Sequence, residues 1–142
     1  MSKKPDLRGI PTMYRGRLFR SRNEARFACL FDELLVPWQY EPIDLNGYVP
    51  DFIVHADLLA EIKPDLDNES LIAANLKIEQ SGWAGEAVIL SPLHEDSAHF
   101  PLVGWFGELV DGPDGKQLEW SDCRVMRCID CGLLSFFPDC GS

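Results

Sequence analysis

Apolar residues in this chain recur at one period, then another, and the changes of period mark its elements. From Ser21 onward they fall at Phe27, Leu30, Phe31, Leu34 and Leu35, the i, i+3, i+4, i+7, i+8 spacing that gives a helix one buried stripe. Ser21-x-x-Glu24 ahead of that stripe is a capping box, and Pro37 stops the helix. The period then shortens to two. Trp38, Tyr40, Ile43 and Leu45 are strand-like, and Pro42 among them predicts a bulge or an edge. Asn46-Gly47 is a hairpin turn signal, so a second strand returns over 48–54 and a third runs over 58–63 to Pro64. A second helix is predicted over 68–81, with Leu71, Ile72, Leu76 and Ile78 as its apolar face and Gly82 as its stop. The apolar run 87–90, ended by Ser91-Pro92, reads as a buried fourth strand, parallel to its neighbour because a helix carries the chain across. Residues 102–110 and 117–120 flank a turn-rich segment at 111–115 and predict one more hairpin.

Ahead of the first helix, residues 1–13, with Pro5, Gly9 and Pro11, read as an arm, and 14–20 as an extended segment. The pattern divides into an arm (1–13), a core (14–100) and a tail holding the hairpin and most of the cysteines (101–142). The fold class is α/β (α+β): a helix, three strands, a helix and a strand around one mixed sheet.

Candidate chemistry concentrates in YVPDFIVHADLLAEIKP, residues 48–64. Side chains of a strand alternate between its faces, so Leu59, Glu61 and Lys63 share one face and Ala60 and Ile62 the other, with Asp51 on the neighbouring strand. Two carboxylates beside a lysine suit hydrolysis of a phosphodiester by a hard divalent cation. Oxygen ligands hold Mg²⁺ or Mn²⁺, and an ammonium group orients water or neutralises charge on the phosphate. The other reading of Glu61 and Lys63 is a solvated ion pair on one strand face.

In Pro50-Asp51 and Glu61-Ile62-Lys63, taken with the order of elements over about residues 13–92, the chain resembles the PD-(D/E)xK nucleases of the restriction-endonuclease-like fold. RSRNEARF around Glu24 and YEPIDLNGYVPDF are similar to stretches of small phage and bacterial members. The resemblance implies a DNA endonuclease that uses Mg²⁺ or Mn²⁺, with Glu24, Asp51, Glu61 and Lys63 as catalytic residues and Asp51, Glu61, Glu24 and Ile62 as the metal set. Relatives include endonuclease subunits of transposons, restriction enzymes and junction resolvases, which implies DNA as partner and a homodimer or larger nucleoprotein assembly as the working unit. Glu24 has a plainer role open to it, as a helix cap. The rival function is a non-catalytic DNA- or protein-binding module on the same scaffold.

Charge changes this picture through its distribution. The net charge is -10, yet residues 1–26 hold eight of the thirteen basic residues against Asp6 and Glu24, a local balance of +6 that leaves -16 for the remainder. Arg15, Arg17, Arg20 and Arg22 are the candidate phosphate contacts, since a local basic field can steer nucleic acid to one face. With no apolar run near the ~20 residues a membrane span needs and no signal-peptide core, the expectation is a cytoplasmic protein without membrane contact. Reduced thiols are the rule there, so Cys123, Cys128, Cys131 and Cys140 read as ligands of a structural Zn²⁺ and not as disulfides. Cys29 reads as a small core residue.

Overall fold

Six strands form one mixed sheet in the computed structural model, which describes residues 10–55, 57–65, 67–94, 102–124, 126–127 and 134–135. The chain approaches the sheet through a ribbon of β1 (Thr12–Tyr14) and β2 (Arg17–Phe19). Arg15 and Gly16 turn it with φ of 51° and 79°, the doubly positive pair that matches the twist of a tight hairpin. A merely extended segment is what the sequence predicts at 14–20. The missing signal is a residue such as Asn or Asp at the first turn position, where Arg15 stands.

Helix α1 (Arg22–Glu33) begins where the cap predicts, with Ser21 Oγ accepting from the Glu24 N–H at 3.1 Å. It stops short of the expected stripe. Leu35 takes a φ of 60° and is 78% exposed, while its N–H donates to Asp32 O and the Val36 N–H to Phe31 O. These two bonds make a Schellman stop with leucine in the place glycine usually fills. Val36 is buried in place of Leu35.

Strands β3 (Trp38–Tyr40), β4 (Phe52–Val54) and β5 (Leu58–Ile62) follow as an antiparallel meander. The first two are shorter than predicted. Pro42 and Pro50 lack the N–H a ladder needs, so residues 41–51 leave the sheet as an excursion whose Leu45–Tyr48 bridge closes the Asn46-Gly47 turn. Helix α2 (Asn68–Gln80), capped by Asp67 Oδ1 on the Ser70 N–H, carries the chain to β6 (Ala87–His94), which runs parallel to β5. Strands β7 (Leu102–Gly112) and β8 (Gly115–Arg124) then add antiparallel, giving the order β3-β4-β5-β6-β7-β8. The predicted hairpin therefore extends the main sheet. His94, expected in a loop, ends β6, and His99 lies outside the described residues. A small ribbon pairs β9 (Met126–Arg127) with β10 (Leu134–Ser135).

Each helix covers one face. Ala25, Phe27, Ala28 and Phe31 of α1 pack with Phe52, Val54, Ala60, Ile62, Val88 and Leu90, whereas Ile78 of α2 packs with Ile53, Leu59, Ala87 and Leu118. The alternation along β4, β5 and β6 puts these two sets on opposite sides of the sheet. The face that α2 buries keeps Ile78 of the predicted stripe and adds Ala74, with Leu71 half-buried, while Ile72 and Leu76 are 66% and 52% exposed. Polar contacts fix this rotation, through Asn75 Oδ1 on Trp120 Nε1 and Glu79 Oε2 on the Leu118 N–H. Among the described residues no helix is long and apolar enough to cross a membrane.

Candidate functional site

The register of β4 on β5 pairs Phe52 with Ala60, so one step further Asp51 stands opposite Glu61. The Asp51 N–H donates to Glu61 Oε1 at 3.1 Å and the Ile62 N–H to Asp51 Oδ2 at 2.8 Å. Both carboxylates are buried. By alternation both lie on the face of Ile53 and Leu59, beneath α2. Lys63 continues β5, with its N–H on Leu90 O and its Nζ 4.0 Å from Glu61 Oε2.

Glu24 joins them from the first turn of α1 and is only 4% exposed. Its carboxylate leaves the capping box half built. Oε1 accepts from Tyr40 Oη at 2.6 Å and from the Arg20 N–H at 3.2 Å, while Ser21 alone caps the helix. Arg20 lies between these acids. Its Nη2 is 3.0 Å from Asp51 Oδ1 and 3.7 Å from Glu24 Oε2, and its Nε is 2.6 Å from Glu41 Oε2. Glu41 is held at a φ of 48° with its N–H on Asp51 O.

Burial raises the Asp51 carboxyl well above its ordinary range, and the charges of Glu61 and Glu24 push it the same way. Burial likewise raises Glu61, against the pull of Lys63. For both carboxyls the first cause is burial, so loss of water is what chiefly holds them against ionisation. Burial would lower the pKa of Arg20, but the Tyr40 hydroxyl and the carboxylates of Glu24, Asp51 and Glu41 outweigh it and raise it. Tyr40 is pushed up to about 12 by burial and by Glu24. Tyr48 is also raised, by burial first and then by Glu61. Its buried hydroxyl is close enough to feel that carboxylate yet makes no well-formed hydrogen bond.

These residues floor an open groove of about 860 Å³ that runs from Arg20 and Glu24 past Asp51, Glu61 and Lys63 to Lys77 and Gln80. The start of α1 and the end of α2 form its walls. Among the described residues, no three His, Cys, Asp or Glu side chains stand in the geometry of a ready-made metal cage. Against known proteins, the chain matches no family model, no curated sequence and no solved structure.

Of the four candidate arginines, Arg20 alone lines the groove. Arg15 lies 3.7 Å from Asp32 and over the Tyr14 ring, while Arg17 and Arg22 are exposed. Glu41, Tyr40 and Tyr48 are site residues that sequence reasoning does not single out, because each reads as an ordinary strand or turn position. Cys123 on β8 is fully buried in the apolar cluster under α1, where burial and then Asp122 push its thiol up to about 12. Cys128, Cys131 and Cys140 lie outside the described residues. Cys29 is half-buried in α1.

Proposed function

We propose that the protein is a divalent-metal-dependent endonuclease acting on DNA, of the PD-(D/E)xK type on a restriction-endonuclease-like core. The observation that carries this reading is the cross-strand pair Asp51 and Glu61: two buried carboxyls of raised pKa at the floor of an open groove, with Lys63 beside one of them. Burying such a pair is costly without a cation. The sequence of helix, antiparallel meander, helix and parallel strand supports the same reading.

Asp51, Glu61 and Glu24 offer the hard oxygen donors that Mg²⁺ or Mn²⁺ takes, and Ile62 stands between the metal-binding acid and the lysine. Bound there, the ion would supply a more acidic water and a Lewis acid for the phosphoryl oxygens. Lys63 orients the attacking water toward phosphorus and offsets the negative charge that grows on the phosphate as its P–O bond breaks. Lys77, on the far wall, also lowers the Glu61 pKa through its charge and faces the path of a second phosphate. A second reading, the non-catalytic module, has one observation in its favour: Arg20 already fills part of the space an ion would use.

A cleavage assay on supercoiled, linear, single-stranded and branched DNA, with Mg²⁺, Mn²⁺ or EDTA, separates the two. Cleavage with either ion and none in EDTA is the expected outcome. Asp51→Ala and Lys63→Ala should each cut activity by at least about 100-fold, the scale of losing one transition-state contact, with the fold intact. Glu24→Gln keeps an acceptor for Tyr40 and Arg20, so lost cleavage at unchanged stability assigns Glu24 to the metal. Near-parental turnover in the Asp51 or Lys63 variant would end this assignment of the site.

A further inference from the structure

Each carboxylate of the site has one oxygen already engaged by a protein donor. Asp51 Oδ2 accepts from the Ile62 N–H, Glu61 Oε1 from the Asp51 N–H, and Glu24 Oε1 from Tyr40 and the Arg20 N–H. The second oxygens of these carboxylates are Asp51 Oδ1, Glu24 Oε2 and Glu61 Oε2. Two of these three face the same atom, Arg20 Nη2, at 3.0 and 3.7 Å. An ion of the Mg²⁺ or Mn²⁺ kind sits roughly 2.0–2.2 Å from a carboxylate oxygen. Asp51 Oδ1 therefore cannot keep both the ion and the guanidinium in their preferred places without setting two cations side by side.

The other edge of the guanidinium is held elsewhere. Arg20 Nε bonds Glu41 Oε2 at 2.6 Å, and Glu41 contributes none of the three oxygens. Its backbone is fixed in the left-handed region with its N–H on Asp51 O, the type of strained position that a surrounding structure must hold in place. Arg20 is 47% exposed and lines the groove, so on leaving Asp51 its Nη2 end can turn outward without unpacking the core.

We infer that Arg20 is the resident cation of the acidic site and gives way to the divalent ion, pivoting on Glu41 into the groove, where its fork takes a backbone phosphate of the nucleic acid. The inference rests on the metal-dependent reading of the site. A planar fork of donors matches phosphate oxygens in pairs, and the exchange makes binding of the ion and binding of the nucleic acid help one another. Such coupling is reciprocal: whatever the ion adds to affinity for DNA, DNA adds to affinity for the ion. Glu41 is a positioning residue in this scheme, since it acts only through Arg20.

Calorimetric titration of Mn²⁺, and separately Ca²⁺, into the protein without DNA tests the exchange at one pH and ionic strength. Arg20→Gln removes the competitor and should bind either ion about tenfold tighter than the parent, within the usual range of such couplings. Arg20→Lys keeps the charge but cannot hold Asp51 and Glu41 at once, so it should shift affinity in the same direction and guards against a folding defect in the first variant. Duplex binding measured against salt supplies the second arm. With Ca²⁺ the parent's slope should exceed that of Arg20→Gln by about one, the value for a single phosphate contact, while in EDTA the two slopes coincide. A slope difference of the same size in EDTA would overturn the exchange and leave Arg20 a plain phosphate contact. Equal or weaker ion binding in both variants would overturn it too, making Arg20 a fixed brace, with the metal-dependent reading still standing. No ion binding by parent or variants at millimolar ion would remove both.

Discussion

Asp32 is held by two neighbours that carry no charge. Tyr14 Oη donates to its Oδ2 at 2.6 Å and Trp38 Nε1 to its Oδ1 at 2.9 Å, and these bonds, Tyr14 first, hold its carboxyl below the ordinary range. Between that lowered value and the unfolded value of about 3.9, the unfolded chain binds protons that the native one does not. Stability from this contact is therefore complete above the unfolded value and is lost as pH falls through the folded one. Tyr14→Phe should lower the urea midpoint at pH 7, and the gap to the parent should close as the pH drops below about 4. A gap constant with pH would mean that only packing was lost. The acids of the site were open to reading from sequence because a period of two and a ten-residue spacing put Asp51 and Glu61 on facing strands. In the sequence Arg20 has the look of a phosphate contact, and its hold on Asp51 is not legible. That contact depends on how the β1–β2 ribbon docks, which no local pattern encodes.

Elements were legible where apolar spacing alone decides them. The start of α1 follows from Ser21 and its stripe, but its end does not, since Leu35 looks like one more core position and instead takes the left-handed turn. Only part of the α2 face is legible, for the same kind of reason: Asn75 and Glu79 anchor it through side-chain hydrogen bonds that a hydrophobic count ignores. The joining of β7 and β8 to the sheet follows from β6, whose residues 87–90 are fully buried and whose outer edge needs a partner. Gly104 makes that partnership close. A Cβ built there would lie 1.8 Å from the backbone oxygen of Ile89, and backbone in a central strand cannot step aside. Gly104→Ala should cost about 3 kcal/mol, the upper range for overpacking, measured by urea unfolding. A cost under about 0.5 kcal/mol, the scale of a neutral surface change, would mean that β6 and β7 can part to make room.

At the scale of the whole molecule, helices on opposite faces meet the same groove with opposite ends, α1 by its first turn and α2 by its last. The arrangement brings Arg20 and Glu24 from one side and Lys77 and Gln80 from the other to a floor made by β4 and β5. It also assigns the members of the site very different distances along the chain. Asp51 and Glu61 meet across one hairpin, a contact of the kind that closes in microseconds. Arg20 reaches Asp51 over 31 positions and arrives only when the ribbon and α1 have docked. Until Arg20 docks, the pair has Lys63 beside Glu61 as its near counter-charge, and a divalent ion at the proposed site would add to it. Ca²⁺ in the refolding buffer should lift the folding limb of the chevron by about threefold over EDTA, whereas an effect confined to the unfolding limb would place closure of the pair after the barrier. Under the proposed metal-dependent reading, a chain that meets the ion early would fold faster than one that meets it late, and the supply of divalent cation during synthesis would set how long the nascent protein stays open to aggregation.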